Sequence, residues 1–512
     1  MAPVDTNAIG MSERPASELE ALERFGDALP AEWLEQQGLL PLRVVDGGLQ
    51  VATWLAAPQP LALDELALRF GARPVLLRYP ESAVRSAVRR LYAQSSSTAR
   101  GVIAGLAAQP GTARASELAL DDLVHLANEA PVVRLVNLLI LEALEARASD
   151  VHLEHFADGM RVRYRVDGVL QPAPAPPPQL SAAIVSRLKI MADLDIAERR
   201  LPQDGRIRLR LQDRMVDVRI ATAPTLHGES VVLRLLDRDR GRRSLSAMGM
   251  GSDMLALFTR VIARTHGIVL VTGPTGSGKT TTLYGAIESL RTGREKILTV
   301  EDPIEYELAG VPQVPVNEKV GVTFASALRA LLRQDPDILL VGEIRDEETA
   351  QVATQAALTG HLVLSTLHTN DAPSAITRLL DLGVPPYLVA STVEAILAQR
   401  LVRVLCTHCR EESVPEPAQL QRLGKDAVAP PRAWRATGCG HCRDTGYRGR
   451  QGIFELLVMS DPLRELTQTR ASGDRLRAAA LHDGMRTLRD DALRLVSDGV
   501  TSLDEVLRVT GG

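Results

Sequence analysis

Eleven residues, GPTGSGKTTTL (273–283), have the make-up of an anion cradle. Gly273, Pro274, Thr275, Gly276, Ser277 and Gly278 let backbone N–H groups turn inward around one anion. A helix opening at Lys279 would present its positive end to the same point. Lys279 is the cation for β- and γ-phosphates, the Thr280 hydroxyl is a ligand for Mg²⁺, and Thr281 continues the first turn. An apolar strand pattern, GIVLV, leads into the loop, which is the context this chemistry needs. The pattern predicts bound ATP with Mg²⁺.

Binding is not hydrolysis, which needs an acid to orient water and cations to meet the charge on the terminal phosphoryl group. DPDILLVGEIRD ends a strand pattern at Glu343, preceded by Gly342 where an Asp is usual. That shifts weight to LTVEDPIEY, with Glu301, Asp302 and Glu305 at and beyond another strand end; helix capping is the competing reading. GHLVLSTLHTN sets His361 and His368 around a third strand. His368 is the better candidate to sense the γ-phosphate, and His361 reads nearly as well as a structural histidine.

The four cysteines form two CxxC pairs, Cys406/Cys409 and Cys439/Cys442. Each pair points two thiolates at one ion, the geometry of tetrahedral Zn²⁺. The 29 residues between the pairs exceed the usual zinc-ribbon spacing, so a redox pair or unliganded thiols stay open. His408 and His441 lie inside the pairs, but four sulfurs already complete a shell. Such a site is closed and structural.

Composition narrows the function classes. A formal charge of −4 opposes a nucleic-acid coat, and 3% aromatics opposes a stacking platform, so no direct nucleic-acid partner is expected. No window reaches the roughly 18 apolar residues that span a bilayer, and the N-terminus lacks the apolar core of a secretory signal. Paired cysteines suit a reducing cytoplasm.

The elements that must position these residues fall into an α/β chain of several domains. Residues 1–20 are polar and flexible, 21–94 form a small α/β domain, and 95–116 a Ser/Gly/Ala-rich linker. Residues 117–237 open with a helix and continue in alternating strands, with a proline-rich connection at 171–179. From 199 to 243 there are 12 arginines against 6 acids. A solvated sheet face explains many of them, since alternation exposes every second residue. A charged hinge (238–244) precedes residues 245–400, whose alternating strands and helices predict a mostly parallel sheet with helices on both faces. The tetracysteine subdomain is 401–450, and the chain from 451 to 512 reads as helical.

GPTGSGKTTTLY, ILTVEDPIEY, LRQDPDILLVGEIRD and ALTGHLVLSTLHTND, in this order, resemble the secretion ATPases of the type II and type IV pilus superfamily. Gly342-Glu343 is that family's own acidic pattern. The resemblance implies a RecA-like P-loop domain preceded by a PAS-like α+β domain that closes over ATP, assembled as a homo-hexamer. It implies catalytic roles for Lys279, Glu301, Glu305, Glu343 and His368. By it Arg219 and Arg234 reach the γ-phosphate, and Arg329, Arg333 and Arg345 are inter-domain or inter-subunit cations. It also implies that the tetracysteine insertion faces a membrane platform, the type II secretion protein F. The N-terminal domain resembles one that docks on the cytoplasmic domain of the bitopic inner-membrane protein L, giving peripheral attachment to that membrane. The expected activity is ATP hydrolysis driving pseudopilus assembly and protein export; pilus extension is the alternative, while a DNA translocase and a non-hydrolysing regulatory module are weaker readings.

Overall fold

In the computed structural model, residues 31–45, 47–96, 130–211, 214–236, 244–423 and 432–511 are described, with positions 15, 17–20, 29, 99, 103 and 430. Most of the expected flexible N-terminus, of the 95–116 linker and of the 238–244 hinge lies outside the described residues, as does the start of the 117–237 domain. The chain divides into two compact units, Met1–Leu235 and Leu236–Gly512.

Among the described residues the first unit holds two sheets. Strands β1 (Leu39–Val45) and β2 (Gly48–Thr53) form an antiparallel hairpin, and β3 (Arg73–Arg78) lies parallel to β2. A parallel neighbour needs a crossover, supplied by the helix Pro60–Phe70, which starts with proline and stops at left-handed Gly71. Leu39, Leu49, Val51, Leu66 and Val88 make this core.

The second sheet contains β4 (Ala148–Phe156), β5 (Gly159–Val166), β6 (Val169–Ala173), β7 (Gln203–Leu211), β8 (Arg214–Thr225) and β9 (Gly228–Leu236), in the order β6-β5-β4-β9-β8-β7. The helices Ala130–Glu145 and Ser181–Met191 cover one face, where Leu139 and Ile184 meet Val151, Val218 and Leu233. Period-two alternation then turns Arg163, Arg208, Arg219 and Arg234 to the opposite face. Neighbouring acids answer several of them there: Arg163–Glu154 at 2.7 Å, Arg208–Asp217 at 3.1 Å and Arg234–Asp150 at 3.0 Å.

The second unit is built on seven strands: β10 (Gly267–Thr272), β11 (Ile297–Glu301), β12 (Gln313–Pro315), β13 (Ile338–Val341), β14 (Leu362–Leu367), β15 (Val393–Leu405) and β18 (Tyr447–Val458). Their order is β12-β11-β13-β14-β10-β15-β18, all parallel except the β15–β18 pair. β10, β11, β13 and β14 are buried along their whole length, which is why they read as largely apolar rather than alternating. Between β15 and β18 the chain makes a small sheet of β16 (Arg410–Ser413) and β17 (Ala433–Ala436).

The expectation that the chain is helical from 451 is corrected: β18 runs through Val458, and helices begin at Asp461. The stretch GIFELL is buried on both faces, and such a run cannot be told from a buried helix by periodicity. Helices Asp461–Gln468, Gly473–His482, Leu488–Ser497 and Leu503–Thr510 follow.

Candidate active site and tetracysteine centre

Parallel strands put their carboxyl ends on one edge, and in open α/β sheets that edge carries the ligand. Thr272 of β10 lies in register with Leu367 of β14, and Val341 of β13 with Ser365. The segments after them, 273–278, 342–345 and 368–372, therefore share the edge.

The loop after β10 is shaped by glycine where nothing else fits. Gly273 has φ 147°, and a Cβ there would collide with the Gln399 carbonyl oxygen. Gly278 has φ 90°, and a Cβ would lie 2.8 Å from Gln399 Nε2. Lys279 opens the helix Lys279–Leu290 and is buried. Its ammonium donates to the carbonyl oxygens of Gly273 (2.8 Å) and Pro274 (3.3 Å). Burial holds its pKa below the usual lysine value, against the pull of the Glu343 charge. The Ser277 hydroxyl is buried without a hydrogen-bond partner. A curled loop with an orphan hydroxyl and a half-desolvated ammonium fits a phosphate group. Thr280 and Thr281 follow half-buried in the first helical turn, while Pro274, Thr275 and Gly276 are exposed.

Glu343 joins this loop. Its Oε1 pairs with Arg345 at 2.5 Å and its Oε2 lies 3.5 Å from His368 Nε2. The Glu343 hydrogen bond raises the Arg345 pKa. Burial first, then the Lys279 charge, lowers the His368 pKa, with Glu343 opposing. Lys279, Glu343, Arg345 and His368 thus form one electrostatic cluster.

Of the remaining candidates in the second unit, Glu301 ends β11 beside Gly342 on this same edge, while His361 does not. His361 stands at the amino end of β14, bonded to Ala356 O (2.9 Å) and Thr359 (3.1 Å) at the end of the helix Glu347–Leu358. Strand polarity alone separates it from His368. Glu301 is neither a helix cap nor open to solvent. It is 3% exposed and accepts from Thr299 (2.6 Å), Gln313 (3.0 Å) and Tyr284. Burial, then the Glu301 charge, pushes the Tyr284 phenol far above its ordinary range. Glu305 is exposed. Arg329 pairs with Glu348 at 2.7 Å, and Arg333 donates to Arg329 O. Arg219 and Arg234 lie on the outer sheet face of the first unit.

Sequence reading missed Gln399, Tyr284 and Gln313. Gln399, from β15, accepts from Thr282 at 2.6 Å and brackets the loop glycines. Its signal was a lone amide inside the apolar run AILAQRLV.

The four cysteines converge, with all Sγ atoms within 4.8 Å of one another. Three pairs lie at 3.7–3.9 Å: Cys406–Cys439, Cys409–Cys442 and Cys439–Cys442. A tetrahedron with metal–sulfur bonds of about 2.3 Å has edges of about 3.8 Å. Burial would raise the Cys442 thiol, but N–H donation from Cys439 and Gly446 brings it down to about 7. The donor set therefore fits a tetrahedral thiophilic metal. His408 and His441 stack on each other at 4.1 Å.

The profile of the family described as "Type II/IV secretion system protein" matches residues 125–508, and that of the "MshEN domain" residues 12–98. The "Type II secretion system protein E" of Pseudomonas aeruginosa is 48% identical over 94% of this chain and 96% of its own. The "Type II secretion system ATPase E" of Vibrio cholerae is 48% identical over 85% and 87%. The "Type IV pilus assembly ATPase PilB" of Myxococcus xanthus is 43% identical over 94% and 85%. Among solved structures, the ATPase DotB of Legionella pneumophila is similar with a TM-score of 0.54 at 21% identity, over 73% of this chain and 95% of that one. That likeness gives the RecA-like P-loop fold of this chain's second unit.

Proposed function

The chain belongs to the type II/IV secretion system protein family, and on that premise we propose that it is a hexameric ATPase that drives pseudopilus assembly and protein export in type II secretion. The reaction is ATP + H₂O to ADP + phosphate. The observation that carries it is the meeting of Lys279, Glu343, Arg345 and His368 beside the phosphate loop.

Lys279 exchanges its two loop carbonyls for β- and γ-phosphate oxygens. The Thr280 hydroxyl holds Mg²⁺, which when bound neutralises phosphate charge. Glu343 orients the attacking water, with Arg345 and His368 fixing its two oxygens; Glu301, engaged by three donors, acts as a buttress for the β11 end. Glu305 stays a further candidate at the rim. Arg219 and Arg234 supply cations from the first unit. The cysteine cluster takes Zn²⁺ and stiffens the β16–β17 excursion toward a membrane platform, protein F. The N-terminal domain docks on the cytoplasmic part of the bitopic protein L, placing the motor at the cytoplasmic face of the inner membrane. Among the described residues no helix is long and apolar enough to cross a membrane.

Glu343→Gln tests the assignment. It should lower kcat by about 10²–10³-fold while ATP still binds, and Lys279→Ala should abolish both. Near-normal turnover in Glu343→Gln would sink the assignment. The 43% identity to a pilus assembly ATPase supports pilus extension as the second reading; complementation of a secretion mutant against a piliation mutant separates the two.

A further inference from the structure

Behind His368 the chain turns through residues 369–372 before the helix Pro373–Asp381, and each residue of the turn is tied to a different element. Thr369 N–H donates to Thr272 Oγ1 at 2.9 Å, the last residue before the phosphate loop. Asn370 accepts from Arg400 at 3.4 Å. Asp371 accepts from Arg477 at 2.5 Å and from Ser374 N–H at 2.9 Å. Ala372 N–H donates to Glu455 Oε1 at 2.8 Å. The other oxygen of Glu455 accepts from Leu488 N–H at 3.3 Å.

Glu455 sits on β18, 1% exposed. A buried carboxylate is costly unless its oxygens are engaged. Here they lie between the amino ends of two helices, Pro373–Asp381 and Leu488–Ser497, where N–H groups are free and the helix dipole favours negative charge. Arg477 belongs to a third helix, Gly473–His482. Neither capped helix can shift without unpairing this carboxylate, and the third is clipped to the same turn through Asp371. The turn is thus stapled to the strand carrying the phosphate loop on one side and to the C-terminal helices on the other.

We propose that Arg477 and Glu455 are positioning residues that hold His368 against Glu343, so that the C-terminal helices set the geometry of the nucleotide site. This rests on His368 acting at that site. The pair touches no reacting atom; it acts through the turn.

The test is a double-mutant cycle in the full chain, reading steady-state kcat and KM for ATP in wild type, Arg477→Gln, His368→Ala and the double variant. Arg477 is 40% exposed, so its replacement leaves the core intact. The expected result is a fall in kcat of about fivefold or more for Arg477→Gln with KM little changed, shrinking to less than about twofold in the His368→Ala background. Equal factors in both backgrounds overturn the proposal, because a merely structural residue acts additively. A His368→Ala protein with wild-type kcat overturns it differently, by removing the role of His368 itself. Glu455→Gln, which keeps shape but sets an amide NH₂ against one N–H, should show the same non-additivity. If that variant does not fold, the Arg477 cycle decides alone.

Discussion

At the scale of single residues, the cluster is governed by what surrounds each charge. His368 is half exposed, yet its pKa is held below the usual histidine value, because burial and the nearby Lys279 ammonium both oppose imidazolium and Glu343 only partly compensates. With the folded-state pKa below 6.5, the ring is neutral at pH 7 and gains its proton only as pH falls through that lowered midpoint. Histidine-edited NMR should find the His368 midpoint below 6.5. Lys279→Met should move it upward without restoring 6.5, since burial persists; a midpoint above 6.5 in the wild type would show that Glu343 dominates instead. Lys279, Glu343 and His368 were legible in the sequence because each sits at a fixed offset from an apolar strand. Gln399 was not. Its contact with Thr282 spans 117 residues, and no local pattern encodes a pairing made by sheet order. The Glu301–Tyr284–Gln313 arrangement was hidden for the same reason, so the reading of Glu301 as a cap or a catalyst carried no sign of its three donors.

At the scale of elements, the buried parallel strands could be read from their largely apolar runs, and the outward arginines from alternation. The β15–β18 pair could not, because a long antiparallel return across the tetracysteine excursion leaves no turn signal joining its strands. That pair predicts how the metal and nucleotide sites behave when separated. Cys406 directly follows β15, and the Cys406 N–H donates to Gly446 O, one residue before β18. The ladder of β15 and β18 extends from Ala395–Val458 to Leu405–Tyr447, so it holds without the cluster. One zinc per chain is expected in protein prepared anaerobically. Cys439→Ser should lose it, because three sulfurs no longer close the shell. A cost of about 2 kcal/mol corresponds to a fall in Tm of about 3–4 °C for a unit of this size. ATP binding should survive, since the loop is bracketed by Gln399 well inside the ladder. Loss of nucleotide binding along with zinc would show that the excursion supports the loop after all.

At the scale of the whole molecule, the question is where the remaining cations act. The resemblance grouped Arg329, Arg333 and Arg345, but the structure divides them. Arg345 bonds Glu343 within its own subunit, whereas Arg329 and Arg333 stand exposed on the helix Phe324–Leu331 and the turn after it, the first held by Glu348 and the second by a backbone carbonyl. A cation that completes a phosphoryl-transfer site is worth about 10³–10⁵ in rate, and in the proposed hexamer Arg333 would supply it across a subunit interface. Arg333→Gln should therefore be nearly inactive while keeping its loop intact, and Lys279→Ala inactive while keeping its arginine. Mixed at concentrations where the proposed hexamer assembles, the two should regain activity, because some interfaces then pair an intact loop with an intact Arg333. Turnover of the mixture should also climb more steeply than linearly with protein concentration, as ring assembly creates the interfaces. If mixing restores nothing and specific activity stays flat through assembly, Arg333 serves its own subunit and the ring is not what completes the site.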